Sequence, residues 1–421
     1  MHDVKEAFDP DQLLNPGKIL PDVLPAAEHQ RGQAPSSDVF APQSAEEAAG
    51  ALAACSAAGR SVRIGSAAEG DRRGASCWLS TKQLQGVRTF APDDLYVTVG
   101  AGTALAELNT YLAAHNMLAP LSTPWPGATV GGLLAANING PSRLKYGGWR
   151  DNLLCATVAL ADGRVIRAGR PVVKNVAGYD LPKLLVGSRG TLGLLTDVTL
   201  KLTPLPRAER TLQLPVDDII QGVAWAQATA NRWLATAGVV LAPTPPPAKT
   251  PYTLLFTLEG LPEDVEAETA EITQTLRDAG APAPQVTDGP TAIAIWSEFV
   301  GGAGADECVV RAGVPPQHLR LYWSMVPHEI RRATAWLFDM ANGHVFARSR
   351  CGGAIPAHRW LDTLRQPALA LRGYAVALHL PAQLHAGLDP WGYRPDGLPV
   401  MRRIKARWDP AGILNPGEFV V

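Results

Sequence analysis

PWPGATVGGLLAANINGPSRLKYGGWRDNLLCATVALADGRVIRAGRPVVKNVAGYDLPKLLVGSRGTLGLLTDVTLKLTP, residues 124–204, decides how this chain is read. Its glycines are clustered: Gly127, Gly131 and Gly132; Gly140, Gly147 and Gly148; Gly187, Gly190 and Gly193. Short strand-like runs lie between them, among them Ala156–Ala161 and Thr196–Leu202. Glycine permits positive φ and close approach of the backbone to a ligand. Successive N–H groups in such turns hold anions without a basic side chain. The pattern suits a long cofactor with a pyrophosphate and a planar ring better than a small substrate.

The stretches PGATVGGLLAANINGP, RDNL with LADGRVIRAG, VKNVAGYDLPKLLVGSRGTLGLLTDVTLKLTP and the tail WDPAGILNPGEF resemble FAD-linked oxidases of the vanillyl-alcohol oxidase type. Within that superfamily, VVKNVAGYDL and WGYRPDGLPVMRRIKARWDPAGILNPG are most similar to the E subunits of bacterial glycolate oxidases. The likeness is dense over 96–207, good over 389–420 and thin between. It implies an α+β fold: a PCMH-type FAD-binding domain of two α+β subdomains, plus a smaller α+β cap domain.

Composition agrees. Lys+Arg 38 against Asp+Glu 39 gives a net charge of −1, so no nucleic-acid or anionic-lipid footprint is visible. No apolar run is long enough for a membrane helix, and MHDVKEAFDP has no secretory pattern. The five cysteines are scattered without a CxxC, so no zinc or iron–sulfur site is expected. A reduced, cytoplasmic setting is the simplest expectation.

One motif occurs twice. FDPDQLLNPGKIL (Phe8–Leu20) echoes WDPAGILNPGEFV (Trp408–Val420). The first copy resembles the end of the sister D subunit. It is either a gene-boundary remnant or a partner-derived tail that docks on a flavin domain. The expected division is a tail and linker over 1–36, an FAD domain over 37–207, a cap over 208–388, and a segment over 389–421 returning to the FAD domain. Ser44 with Glu47 forms a capping box, and Gly59 stops that helix. Glu263–Ala279 and His328–Asn342 read as helices, and Tyr252–Leu258 as a strand.

The resemblance assigns cofactor contacts residue by residue. Ile64, Gly65 and Ser66 open the phosphate loop, whose 64–75 stretch has fewer glycines than the family's. Pro126, Gly127, Ala128, Thr129, Val130, Gly131 and Gly132 precede an apolar helix beginning LLAAN, whose Asn137 is also assigned to the cofactor. Thr129 either caps that helix or bonds a phosphate oxygen. Gly140, Arg143, Tyr146 and Gly147 belong to a loop near the flavin edge; Arg143 faces an anion or is an exposed loop arginine. Lys174, Asn175, Val176, Ala177, Gly178 and Tyr179 form the loop beside the ring, with Lys174 stabilising negative charge on reduced flavin. Gly187, Gly190, Thr191 and Gly193 approach the adenosine diphosphate. Asn415 contacts flavin or ends a turn.

Absences matter too. Hydroxy-acid oxidases of this superfamily carry closely spaced cap histidines with Gly-Asp-Gly-Asn, and that set is missing. His379 and His385 stand without it. The usual position for a covalent His–flavin bond is empty, so FAD is expected to be non-covalent. The expected role is an FAD-binding E-type subunit of a glycolate (2-hydroxy-acid) oxidase, glycolate going to glyoxylate. Its partners would be a D-type flavoprotein and an iron–sulfur F subunit. A self-sufficient D-lactate dehydrogenase, with Arg348 or Arg350 holding the carboxylate, and a non-catalytic flavin scaffold remain open.

Overall fold

The computed structural model describes residues 39–65, 75–172, 179–245, 247, 249–351, 355–384 and 387–420. The chain divides into two compact units. The first holds the described residues up to Ile138, with Gly148–Leu205 and Arg394–Val421; the second holds Asn139–Gly147 and Pro206–Tyr393.

Among its described residues the first unit contains three sheets, the smallest an antiparallel pairing of Met117–Leu118 with Thr203–Pro204. A parallel sheet pairs Cys77–Ser80 with both Val39–Phe40 and Val62–Gly65. The helix Ala45–Ala57 buries Ala48, Ala49, Leu52 and Cys55 in the same cluster as Val62, Cys77 and Leu79. Ser44 caps it by accepting Glu47 N–H, and Glu47 reaches back to Gln43 N–H. The second sheet is antiparallel, in the order Val87–Ala91, Tyr96–Gly100, Leu194–Lys201, Leu153–Ala159, Val165–Gly169. Its strands alternate: Val97 and Val99 are buried, whereas Tyr96 and Thr98 are half-buried.

The second unit is built on one antiparallel sheet of eight strands. Their order is Gln285–Thr287, Ala208–Val216, Tyr252–Gly260, Thr236–Pro243, Ala335–Asp339, His344–Arg350, Glu307–Gly313, Tyr374–His379. One face is apolar. Leu254, Phe256, Val310, Ala312, Trp336, Phe338, Val345 and Ala347 join residues of the helices Ile219–Ala228, Pro262–Asp278 and Ala357–Ala370 in a single core. The α+β class expected from the sequence is the one adopted.

Three expectations change. The helix expected over His328–Asn342 stops at Arg332, and Ala335–Asp339 is a strand. Trp336 and Phe338 alternate into the core there, so period-two burial prevails over the helical pattern. The loop Asn139–Gly147 joins the second unit instead of the FAD region. Lys145 Nζ donates to the carbonyls of Glu259 and Ala235, and Tyr146 Oη donates to Glu259 Oε2 at 2.6 Å. Cys308 and Cys351, expected as thiols, form a disulfide at the end of two paired strands. The repeat copy Phe8–Leu20 lies outside the described residues.

Candidate functional site

The C-terminal segment organises the site in the first unit. Asp409 is buried and accepts the N–H groups of Ile413 (3.0 Å) and Leu414 (2.8 Å), closing a tight turn. Leu414 then bridges Val62, and Asn415 N–H bonds Val62 O. The Asn415 amide uses both ends: Oδ1 accepts Ile64 N–H and Nδ2 donates to Arg189 O, each at 2.7 Å. Lys405 Nζ ties the preceding helix to Asp409, Thr191 O and Leu414 O. Burial lowers the Lys405 pKa, and Asp409 opposes that shift.

The glycine-rich turn meets this latch from the other side. Thr129 caps the helix Val130–Ala136 by accepting Gly132 N–H at 3.2 Å. Val130 N–H and Gly131 N–H bond the carbonyls of Thr103 and Ala101, which lays the turn along the chain at 101–105. Asn137 ends the helix in the left-handed region, at φ 52°. Gly187 N–H and Arg189 N–H bond Leu134 O and Ala135 O, so the turn 187–190 docks on that helix end.

These pieces enclose one cavity. It is lined by Arg63, Ile64 and Gly65, by Thr81 and Ala101, by Thr129, Gly131, Gly132, Ala135 and Ala136, by Arg189, Gly190, Gly193 and Leu195, and by Asn415 and Glu418. Arg63 is ion-paired with Glu418. Glycine backbone, two hydroxyls and two arginines suit an anionic linker, and Ile64, Leu195 and the alanines suit a flat apolar ring system. The residues present therefore fit FAD.

Of the residues expected from the sequence, Ile64, Gly65, Thr129, Gly131, Gly132, Gly190, Gly193 and Asn415 line this cavity. Pro126, Gly127, Ala128 and Val130 build the turn beside it; Asn137, Gly187 and Thr191 secure the helix end and the docked turn. Gly140, Arg143, Tyr146 and Gly147 belong to the second unit. Ser66, Lys174, Asn175, Val176, Ala177 and Gly178 lie outside the described residues, and Tyr179 is exposed. The sequence reading left out Arg63, Thr81, Ala101, Ala135, Ala136, Arg189, Leu195 and Glu418. Arg189 carries the one available signal, its place between Gly187 and Gly190 in the sequence; in the structure it adopts φ 55° without being glycine.

In the second unit, Arg348 donates to Phe299 O at 3.0 Å and stacks on the Phe299 ring, while Arg350 is exposed beside Asp306. Both arginines weighed for a substrate carboxylate are thus otherwise engaged or solvated. His385 lies outside the described residues. A buried acid–imidazole pair stands elsewhere: Asp339 Oδ2 is 3.9 Å from His344 Nδ1. Burial pushes the Asp339 carboxyl up to about 6, against hydrogen bonds from Asn342. Burial, with Arg311 and Arg143 nearby, pushes His344 well below the usual imidazole range. Both shifts favour the neutral forms.

The stability consequence has a definite sign. Between the unfolded value of 3.8 and the folded value of about 6, the folded chain holds the Asp339 proton more tightly, so rising pH costs stability there. The full cost is about 3 kcal/mol. His344 acts oppositely, losing stability as pH falls below 6.5. Asp339→Asn is expected to gain stability relative to the unmodified chain as pH rises from 4 to 7. Urea midpoints at both ends of that range check it; a constant difference would refute it.

Comparison with known proteins agrees with this construction. Residues 37–169 match the FAD binding domain family. Residues 1–19 and 223–419 match the family of FAD linked oxidases, C-terminal domain. The mitochondrial D-lactate dehydrogenase [cytochrome] of Arabidopsis thaliana is 26% identical over 385 residues, which is 83% of this chain and 66% of that protein. The glycolate oxidase subunit GlcE of Escherichia coli (strain K12) is 38% identical over 137 residues, 32% of this chain and 39% of the subunit. A crystal structure of p-cresol methylhydroxylase superposes with a TM-score of 0.67 at 16% identity, covering 90% of this chain and 88% of its own. That last likeness concerns the fold alone. Among the described residues, no helix is long and apolar enough to cross a membrane. A cavity walled by glycine backbone and latched by the C-terminal asparagine, within matches that span both units, makes this chain a member of the FAD-linked oxidases, an oxidoreductase family whose cofactor is FAD.

Proposed function

We propose that the chain is the FAD-carrying, E-type subunit of a cytoplasmic complex that oxidises a small 2-hydroxy acid, with glycolate going to glyoxylate. A D-type flavoprotein and an iron–sulfur subunit are its partners. The observation that carries this reading is the 38% identity to an E-type subunit over 137 residues of the chain. The missing histidine set and the engaged Arg348 and Arg350 support a division of labour between chains.

Bound FAD supplies a hydride acceptor for the α-carbon of the acid. The chain's own residues hold it: Gly65, Gly132 and Gly190 offer backbone, Arg189 offers positive charge, and Asn415 fixes the strand and turn that form the walls. The Arg63–Glu418 pair joins the strand to the tail at the cavity. FAD is held without a covalent bond. Mass spectrometry of the denatured chain is expected to give the mass of the polypeptide alone, with all flavin in the acid supernatant; an adduct on the chain would contradict this.

The decisive experiment is glycolate-dependent dye reduction by the chain alone and by the chain co-purified with its two partners. The subunit reading requires activity in the second preparation only. A second reading, a self-sufficient D-lactate dehydrogenase, draws support from the likeness to D-lactate dehydrogenases over more than four-fifths of this chain, 83% in the Arabidopsis case. Turnover of D-lactate by the lone chain would establish it.

A further inference from the structure

Three neighbouring strands of the second unit bring together side chains that no assigned role uses. Cys308, Val310 and Ala312 enter the core, so Arg311 lies on the opposite face. Val345 and Ala347 likewise place His344 there, and Ala375 places Tyr374 there. Gly313 pairs with His344 on one side and Tyr374 on the other. A Cβ at Gly313 would lie 2.6 Å from the Tyr374 ring, so the missing side chain is what lets the ring cross the strand. The Tyr374 hydroxyl then comes 3.4 Å from His344 Nε2. The Arg311 guanidinium sits over the same ring, 5.6 Å from its centroid.

This group is short of acceptors. Arg311 is half-buried, and its Nε is buried without a hydrogen-bond partner among the described residues. No carboxylate there forms an ion pair with it. His344 is 5% exposed, and its Nδ1 also has no hydrogen-bond partner among the described residues. Asp339, 3.9 Å from His344 Nδ1, accepts hydrogen bonds from Asn342. Arg143 adds a second positive charge felt by both His344 and Asp339. A partly desolvated guanidinium is costly without an anion. The tyrosine ring offsets part of that cost and leaves the planar donor fork unmatched.

We infer that Arg311, Tyr374 and His344 form a binding site for a small carboxylic acid that carries a second oxygen on the adjacent carbon. The guanidinium fork takes the carboxylate in two parallel hydrogen bonds. The Tyr374 hydroxyl takes the neighbouring oxygen, and His344 positions that hydroxyl. The site deepens the 2-hydroxy-acid reading and rests on it for the choice of ligand, yet binding is measured apart from turnover.

The probe is oxalate, titrated calorimetrically into the FAD-loaded full chain. Saturable binding is expected, weakened about ten- to a hundred-fold in Arg311→Gln. Tyr374→Phe should weaken it less. Arg350→Gln, at an exposed arginine paired elsewhere, should leave it unchanged. Arg311→Lys, which keeps the charge without the fork, covers the case where the glutamine variant fails to fold; it too should bind more weakly. No saturable binding, or equal affinity in the Arg311 variants, would overturn the site. Equal affinity for inorganic phosphate would overturn its carboxylate selectivity. Binding that appears only after FAD is stripped would assign these donors to the flavin instead. Loss of oxalate binding leaves the subunit role standing, and failure to support partner turnover leaves the oxalate site standing.

Discussion

Gly190→Val is expected to leave the protein with less than about a tenth of its flavin and a markedly lower unfolding temperature. Gly190 has φ +71°, a region where a β-branched residue costs about 1–3 kcal/mol. Its new Cβ would lie 2.5 Å from Asn415 Nδ2. That amide cannot move without releasing Ile64 N–H or Arg189 O, each bond in a partly buried place and worth about 1–3 kcal/mol when broken there. The strand, the turn and the tail would part together, and they are three walls of the cavity. Flavin absorbance per chain and thermal unfolding measure the two effects. Full flavin with an unchanged melting temperature would remove Asn415 from the centre of the site.

The same geometry changes what other glycine substitutions mean. From sequence, Gly131→Val looks like a clean way to block the cofactor while keeping the fold. In the structure a Cβ at Gly131 would lie 2.7 Å from Ala101 Cβ and 2.9 Å from Ala101 O. Gly65 would meet the Trp78 ring at 2.9 Å, and Gly193 would meet Val158 at 2.5 Å. All three line the cavity, yet their missing side chains would have pointed into protein. Sequence marks where glycine is required; it does not say on which side the space is short.

The C-terminal motif is the most legible part, because its residues act locally. Asp409 closes a turn on its own next residues, and Leu-Asn-Pro-Gly delivers Asn415 to one strand. The loop 139–147 is illegible for the opposite reason. Its anchors, Glu259 and Ala235, are about a hundred positions away in the chain, with separations of 90 and 114 for the Lys145 bonds. Arg311, His344 and Tyr374 escape notice likewise. They meet only through the register of three antiparallel strands, and no spacing in one segment encodes that. Strand Ala335–Asp339 was hidden because AWLFD is too short for its alternation to outweigh the helix-forming residues around it.

The lone chain is expected to turn over glycolate or D-lactate at least about 10²–10⁴-fold more slowly than its complex, the range that a positioned acid–base group contributes. An efficient base needs a pKa near the working pH and access to the substrate hydroxyl. His344 fails on the first count, since burial and two arginines keep it well below the usual imidazole range. Asp339 fails on the second: it is 1% exposed and occupied by Asn342. Arg348 and Arg350 are engaged or solvated, so neither orients an acid. Among the described residues of the second unit, the donors around Arg311 are the ones inferred to hold a carboxylate, without drawing off a proton. A chain that binds flavin and an acid but lacks a working base should bleach slowly with glycolate. Joined to partners that supply the base and the electron outlet, it should support rapid dye reduction, and removing it should abolish that activity. Single-turnover bleaching of the lone flavoprotein separates the cases. Slow bleaching, unchanged by Asp339→Asn, agrees with a missing base. Fast bleaching would make this chain the catalyst and direct mutagenesis to His379 and His344.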